Sequence, residues 1–389
     1  MPSGFLFSIG SNDRSNPIAS VEDCFRSGQY ATLLNRNWTA ATTATMGDFV
    51  NMKPGDNVYL FANRLVYGIG EIIPTANEEA AGELYPGASS RYVEVPEELM
   101  AIDGDRRKCY RWAVRFKPSP FFFRDGVDMD DLLCSNPDAF HSLRTFWKRS
   151  FIQLDDTENS AFKSAIIRHN EHALSPSCQS CHFSYSKPNP DEVMDILNRA
   201  PILPIDPSTL LRESRKSDGS LSSEMALEVG VLHGLRHHNS AICNALGFWD
   251  YVSHQVAASP FKPIDYMDRI DVFGYRWIKG YEGEIVSKYL VVELKKGPAT
   301  LKDSAPNRDY NQLMKYVDWV CEKYAHGDYS MIEAVLVAHS FDFTDAHEMR
   351  DAIVRPYVTG HQAQAHTWEN MRFVSYDVSN EGKLSLKLV

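Results

Sequence analysis

The 389-residue sequence predicts a mixed α+β chain of two domains, and three observations carry that expectation. Before residue 170, short alternating apolar runs outnumber helical ones. Between 173 and 207 the composition shifts to Ser, Pro, Cys and Asn. Beyond it the chain reads helix, three strands, helix, strand. The composition, 43% hydrophobic and 12% aromatic, suits packed cores and excludes disordered, fibrous and coiled-coil classes. There is no run of about 18 apolar residues and no basic, then apolar, leader at the start, so the sequence reads as a non-secreted, cytoplasmic protein without a membrane partner. Seven cysteines, odd in number and scattered, fit a reducing compartment better than a disulfide framework. A net charge of −11 opposes wholesale nucleic-acid binding and leaves room for a local basic groove.

The first domain, 1–172, opens its strand pattern at the turn Lys53-Pro54-Gly55-Asp56. Asn57 to Phe61 alternates as a strand, and Asn63-Arg64 turns it back into a second arm, Leu65 to Ile73. Gly68 and Gly70 inside that arm mark bends or close backbone approach. Tyr110 to Lys117 alternates again. Asp155 to Asn170 has helical spacing, with Asp155, Asp156 and Glu158 at its dipole-favoured start. More strands than helices suggests a small β-barrel. The stretch 173–207 is expected to be a linker, with room for a helix only at Asp191 to Arg199.

The last domain, 208–389, begins with a soft stretch, Glu213 to Ser222, and a helix over Leu221 to Leu235. Phe248 to Val256, Arg269 to Trp277 and Tyr289 to Lys295 are the three strands, the last two parted by Gly280-Tyr281-Glu282-Gly283. An amphipathic helix, Asp309 to Tyr324, precedes a buried strand, Met331 to His339.

The chemistry concentrates in two of these strands. In Tyr289-Leu-Val-Val-Glu-Leu-Lys-Lys296, Glu293 and Lys295 are two residues apart and leave the same face. Two charges on an apolar strand are costly unless they serve each other or a ligand. Arg269-Ile-Asp-Val-Phe273 supplies Asp271 from a neighbouring strand, and strand alternation favours it over Asp268. Two carboxylates can share Mg²⁺ or Mn²⁺, and a lysine beside them can position or deprotonate water. That combination is the equipment of a phosphodiester hydrolase.

Ile-Asp271 followed by Val-Val-Glu293-Leu-Lys295 resembles the D…(D/E)xK signature of the PD-(D/E)XK nuclease superfamily, whose core has the same αβββαβ order. Asn311-Gln-Leu-Met-Lys-Tyr316 is similar to the QxxxY helix motif of its RecBCD-type branch, with Gln312 and Tyr316 one turn apart. The phrases VVELKKG and QLMKYVDW are most similar to archaeal and actinobacterial mismatch endonucleases and to the nuclease domain of Shedu-type antiphage proteins. The sequence departs from the pattern in lacking the leading proline, since Arg269-Ile270 precedes Asp271. The resemblance implies a restriction-endonuclease-like domain, a metal-dependent endodeoxyribonuclease in which Asp271, Glu293 and either Glu228 or Glu224 bind the metal. It also implies that Lys295 orients water and that Gln312 and Tyr316 align the site.

The first domain resembles the PUA-like superfamily that includes EVE and YTH domains, on Phe5 to Gly10, Asn37-Trp38, Met52 to Phe61 and Val66 to Glu71. It implies an aromatic pocket for a flipped base, for which Trp38, Trp112 and Trp147 are candidate stacking surfaces. Arg106, Arg107, Lys108, Arg111 and Arg115, with Arg144, Lys148 and Arg149, are candidate phosphate contacts. At and just before the linker, His169, His172, Cys178, Cys181 and His182 could bind a structural Zn²⁺, reduced thiols being the plainer reading. The expected role is restriction or antiphage defence against modified or unusual DNA, by a homo-oligomer with other defence-system proteins as further partners. A non-catalytic nucleic-acid or nucleotide sensor, and a mismatch or branched-DNA repair nuclease, are the alternatives.

Overall fold

The computed structural model describes residues 2–9, 17–33, 38–73, 111–141, 151–175, 177–187, 206–259, 268–299, 309–341, 353–361 and 363–389. The chain is α+β and divides into two compact units, Met1–Asp206 and Pro207–Val389.

The first unit is built on β1 (Gly4–Ser8), β2 (Gln29–Leu33), β3 (Asn57–Ala62), β4 (Leu65–Ile72), β5 (Arg111–Pro118), β6 (Val127–Asp128) and β7 (Phe151–Leu154). They form one open, half-barrel sheet in the order β2-β5-β4-β3-β1-β7, with β6 on β4. β1 runs parallel to β3; the remaining pairs are antiparallel. The tight β3–β4 hairpin follows from Asn63 and Arg64, whose φ values of 50° and 67° match the mirror-image turn that suits twisted strands. The Asp56 carboxylate accepts from the Lys53 and Ser3 backbone amides at 3.0 Å each, so the turn before β3 is tied to the chain start.

Among the described residues four helices accompany this sheet, of which the spacing predicts the last: α1 (Pro17–Ser27), α2 (Ala40–Asn51), α3 (Met129–Ser135) and α4 (Asp156–His169). α2 escapes sequence reading because Ala-Ala-Thr-Thr-Ala-Thr offers little contrast between its faces. α4 starts at a capping box in which the Glu158 amide donates to Asp155 Oδ1 at 2.7 Å and Glu158 Oε2 accepts from the Asp155 amide. Its apolar side, Phe162, Ala165 and Ile166, packs against Leu6, Tyr59, Val66 and Ile69 from the strands. Residues 177–187, in the stretch expected as linker, pack on the strands' side of this unit: the His182 ring stacks on Phe121 at 4.2 Å and the Phe183 amide donates to the Phe122 carbonyl at 2.7 Å.

The second unit runs α5 (Ser208–Ser214), α6 (Glu224–Arg236), α7 (Ser240–Leu246), β8 (Tyr251–Ala257), β9 (Arg269–Trp277), β10 (Val286–Ala299), α8 (Asp309–Lys323) and β11 (Ile332–Phe341). A hairpin, β12 (Arg355–Thr359) with β13 (Gln364–Trp368), and a last pair, β14 (Met371–Val378) with β15 (Leu384–Leu388), follow. The main sheet has the order β15-β14-β11-β10-β9-β8. β8, β9 and β10 form an antiparallel meander, and β11 joins β10 in parallel after the α8 crossover.

Tyr310, Leu313, Met314 and Val317 of α8 pack on Phe273, Val291 and Leu336, while α6 lies against β8, β9 and β10. Burial throughout Leu290 to Leu294 is why that strand reads as a continuous apolar run. The expected soft stretch 213–222 instead holds the end of α5 and a bridge between Arg215 and Leu221. Tyr376 of β14 fastens it: its hydroxyl accepts from the Leu221 amide at 2.9 Å and donates to the Lys296 carbonyl.

Candidate active site

Five elements of the second unit bring polar side chains together around the second half of β10. Glu293 and Lys295 share a face of that strand, and the Lys295 ammonium donates to Glu293 Oε1 at 2.5 Å. β9 runs antiparallel beside it, and the pairing of Val292 with Val272 carries Asp271 to the level of Glu293. There Asp271 Oδ2 accepts from the Leu294 amide at 2.8 Å. Glu228, one turn on from Glu224 along α6, accepts from His254 Nδ1 at 2.5 Å and Gln255 Nε2 at 2.8 Å, both on β8. The same Gln255 nitrogen stands 3.4 Å from Asp271 Oδ1. From α8, Gln312 Oε1 lies 3.4 Å from the Lys295 ammonium, and Gln312 Nε2 donates to the Tyr316 hydroxyl at 2.9 Å. Glu224 faces the rim, accepting from the Lys296 amide at 3.3 Å.

Burial dominates the electrostatics. It lifts the Asp271 carboxyl well above the ordinary range, helped by the negative charges of Glu293, Glu228 and Glu224 and opposed by the Leu294 amide. It pushes Glu293 up to about 7, against the pull of Lys295. Burial also works against the Lys295 charge, but Glu293, Glu224 and Asp271 outweigh it and raise its pKa above the ordinary lysine value. Lys295 is therefore an ammonium at neutral pH. The Tyr316 hydroxyl is raised chiefly by burial and stays protonated.

A divalent cation fits this chemistry. Glu293 is 1% exposed, and its Oε2 is buried without a hydrogen-bond partner. A buried carboxylate oxygen left unpaired is costly, and a cation answers both that and the repulsion among Asp271, Glu293 and Glu228. Among the described residues, no group of three His, Cys, Asp or Glu side chains stands as it is in an arrangement that could hold a metal ion. The Gln255 amide reaches both Glu228 and Asp271. Asp268 stands just before β9, its amide donating to Ser259 Oγ at 3.3 Å. His254 and Gln255 are the polar members the sequence reading missed. Their signal was available, since Ser253-His-Gln255 interrupts an otherwise apolar strand.

In the first unit, Trp38 is half-buried beside Thr39, the N-cap of α2. Trp112 lies on β5, paired through its backbone with Thr32 of β2. Trp147, Arg106, Arg107, Lys108, Arg144, Lys148 and Arg149 lie outside the described residues. Arg115 is half-buried on β5, and burial lowers its pKa.

Among the described residues the candidate zinc ligands form no group of three that could hold a metal ion. Cys178 and Cys181 are joined in a disulfide, which has no thiolate to offer, so zinc would require the reduced pair. His172 pairs with Asp125 at 3.2 Å, and His182 Nε2 lies 2.6 Å from the Ala173 carbonyl oxygen. His169 sits in the last turn of α4.

No helix among the described residues is long and apolar enough to cross a membrane. No protein-family model and no curated protein matches the chain. Among solved structures, a hypothetical protein from Leishmania major is 14% identical over 45% of this chain and 98% of its own, with a TM-score of 0.26, a likeness too slight to argue from.

Proposed function

We propose that the chain is a divalent-cation-dependent DNA endonuclease of the PD-(D/E)XK type, acting through its second unit. The observation that carries this reading is the unpartnered, buried Glu293 oxygen in a cluster to which α6, β9, β10 and α8 each contribute a polar side chain. The αβββαβ order of those elements supports it. Asp271, Glu293 and Glu228 would hold Mg²⁺ or Mn²⁺, which when bound polarises a phosphoryl oxygen and acidifies water.

The chain's own groups do the positioning. Lys295, held charged by Glu293, is a donor to water or to a non-bridging phosphate oxygen and not a base. Gln312 fixes the Lys295 head group from the opposite side, and Tyr316 fixes Gln312. The first unit, with a PUA-like role and Trp38 as the stacking surface, would choose modified or unusual DNA, which suits restriction or antiphage defence.

The test is cleavage of modified and unmodified plasmid by the full chain, with Mg²⁺ and with excess EDTA. Cation-dependent nicking or linearisation that is lost in Glu293→Ala, Asp271→Ala and Lys295→Ala is expected. Activity in EDTA, or any of the three variants cutting near the parent rate, overturns the assignment.

A further inference from the structure

Consecutive residues of a strand point to opposite faces, yet His254 and Gln255 both reach Glu228, one to each carboxylate oxygen, at 2.5 and 2.8 Å. The alternation breaks at Gln255, whose φ of 52° lies in the left-handed region that any side chain with a β-carbon disfavours. No extra residue is inserted there. His254 pairs with Val272 and Val256 with Ile270, a single register on both sides of the break. The conformation is therefore no by-product of a bulge, and unfavoured backbone maintained in a regular strand points to a task for the side chain it redirects. What the turn achieves is visible: Gln255 Nε2 comes to lie between the carboxylates of Glu228, on a helix, and Asp271, on the next strand, at 2.8 and 3.4 Å.

We propose that Gln255 is a positioning residue of the cation site: its amide nitrogen holds Glu228 and Asp271 together while the site is empty, and its carbonyl oxygen turns toward a divalent cation when one binds. The inference rests on the reading of Asp271, Glu293 and Glu228 as cation ligands. A primary amide is suited to both tasks, because rotation about its last torsion exchanges a donor for an acceptor at nearly the same place. Glutamate could do only the second. A fourth carboxylate would add repulsion to a site where Asp271 already feels three neighbouring acids. Charge neutrality at this position thus lets the empty site stay folded, at the expense of some affinity for the ion.

The experiment measures Mn²⁺ binding to the full chain by the loss of the free-ion paramagnetic resonance signal, with thermal melting of the cation-free proteins alongside. Gln255→Met keeps the length and removes both polar atoms. Gln255→Asn tolerates the left-handed backbone, and so keeps the fold, but retracts the amide by one methylene. Both are expected to weaken Mn²⁺ binding about 10- to 100-fold, as loss of a supporting group does. Gln255→Glu is expected to bind Mn²⁺ more tightly than the parent and to melt lower without it. Parent-like affinity in Gln255→Asn, or no gain in Gln255→Glu, overturns the proposal. Asp271→Asn separates the two readings. If it loses Mn²⁺ while the Gln255 variants keep parent affinity, the cation site stands and only the role of Gln255 falls. If the parent itself binds no Mn²⁺, both fall.

Discussion

Lys295 shows how much a single neighbour decides. Its ammonium is mostly buried, and burial alone would favour the neutral amine; the carboxylate at 2.5 Å reverses that. On the nuclease reading, Lys295→Met should therefore lower kcat by several orders of magnitude with little change in thermal stability, because the proposed role of the charge is toward substrate and not the core. A comparable kcat in Lys295→Arg would show that only the charge matters, whereas a loss there would show that the compact head group between Glu293 and Gln312 matters as well. Gly382 is decided by space instead. Its φ is 81°, and an added Cβ would fall 1.9 Å from the Ser208 carbonyl oxygen, which is backbone and cannot swing aside. Gly382→Ala should cost about 1–3 kcal/mol, read from the denaturant midpoint.

Among elements, β9 and β10 carry a pH signature. Asp271 and Glu293 both have raised pKa values in the folded chain, Glu293 to about 7 against an ordinary 4.5. The folded state therefore binds protons that the unfolded state has released. The Glu293 contribution is complete below the ordinary carboxylate value and is lost as pH rises through about 7, and that of Asp271 is lost in the same direction. In EDTA, the parent should thus lose stability between pH 5 and 8 relative to Glu293→Gln, and denaturant midpoints at the two pH values would measure the difference. Mn²⁺ should reverse the trend and release protons on binding, detectable as a calorimetric heat that varies with the ionisation enthalpy of the buffer.

The same strands show what could be read without coordinates. Glu293 and Lys295 were legible because a strand repeats every two residues, and Gln312 and Tyr316 because a helix brings every fourth residue to one side. Gln255 was illegible for the complementary reason: alternation assigns it the face opposite His254, and only a left-handed φ brings both to Glu228. α2 was missed for want of amphipathic contrast. The choice between Glu224 and Glu228 could not be made from spacing, since one turn separates them, and the structure distinguishes them by partners, a backbone amide at the rim for one and a buried histidine and glutamine for the other.

For the whole molecule, the division at 206/207 gives each unit its own sheet and core. Residues 207–389 should fold alone, with strand and helix content by circular dichroism and a cooperative melt. If the first unit selects the substrate, this fragment should cut modified and unmodified DNA alike, while Trp38→Ala in the full chain should lose discrimination and leave Mn²⁺ affinity unchanged. A fragment that keeps the parent's preference would return the first unit to an assembly role.

The Tyr376 latch gives the second unit an order of completion. Asp271, Glu293 and Lys295 are all translated before Tyr376, whose hydroxyl pins the carbonyl of Lys296, the residue after the lysine of the site, to the segment that leads into α6. Until β14 has been made and seated, the acids exist on the nascent chain with the direct Leu221–Lys296 backbone bond and without the second tie that Tyr376 adds to it. On the nuclease reading, a polypeptide that stops short of β14 would carry every proposed ligand of the site and lack this tie between β10 and the segment that leads into α6.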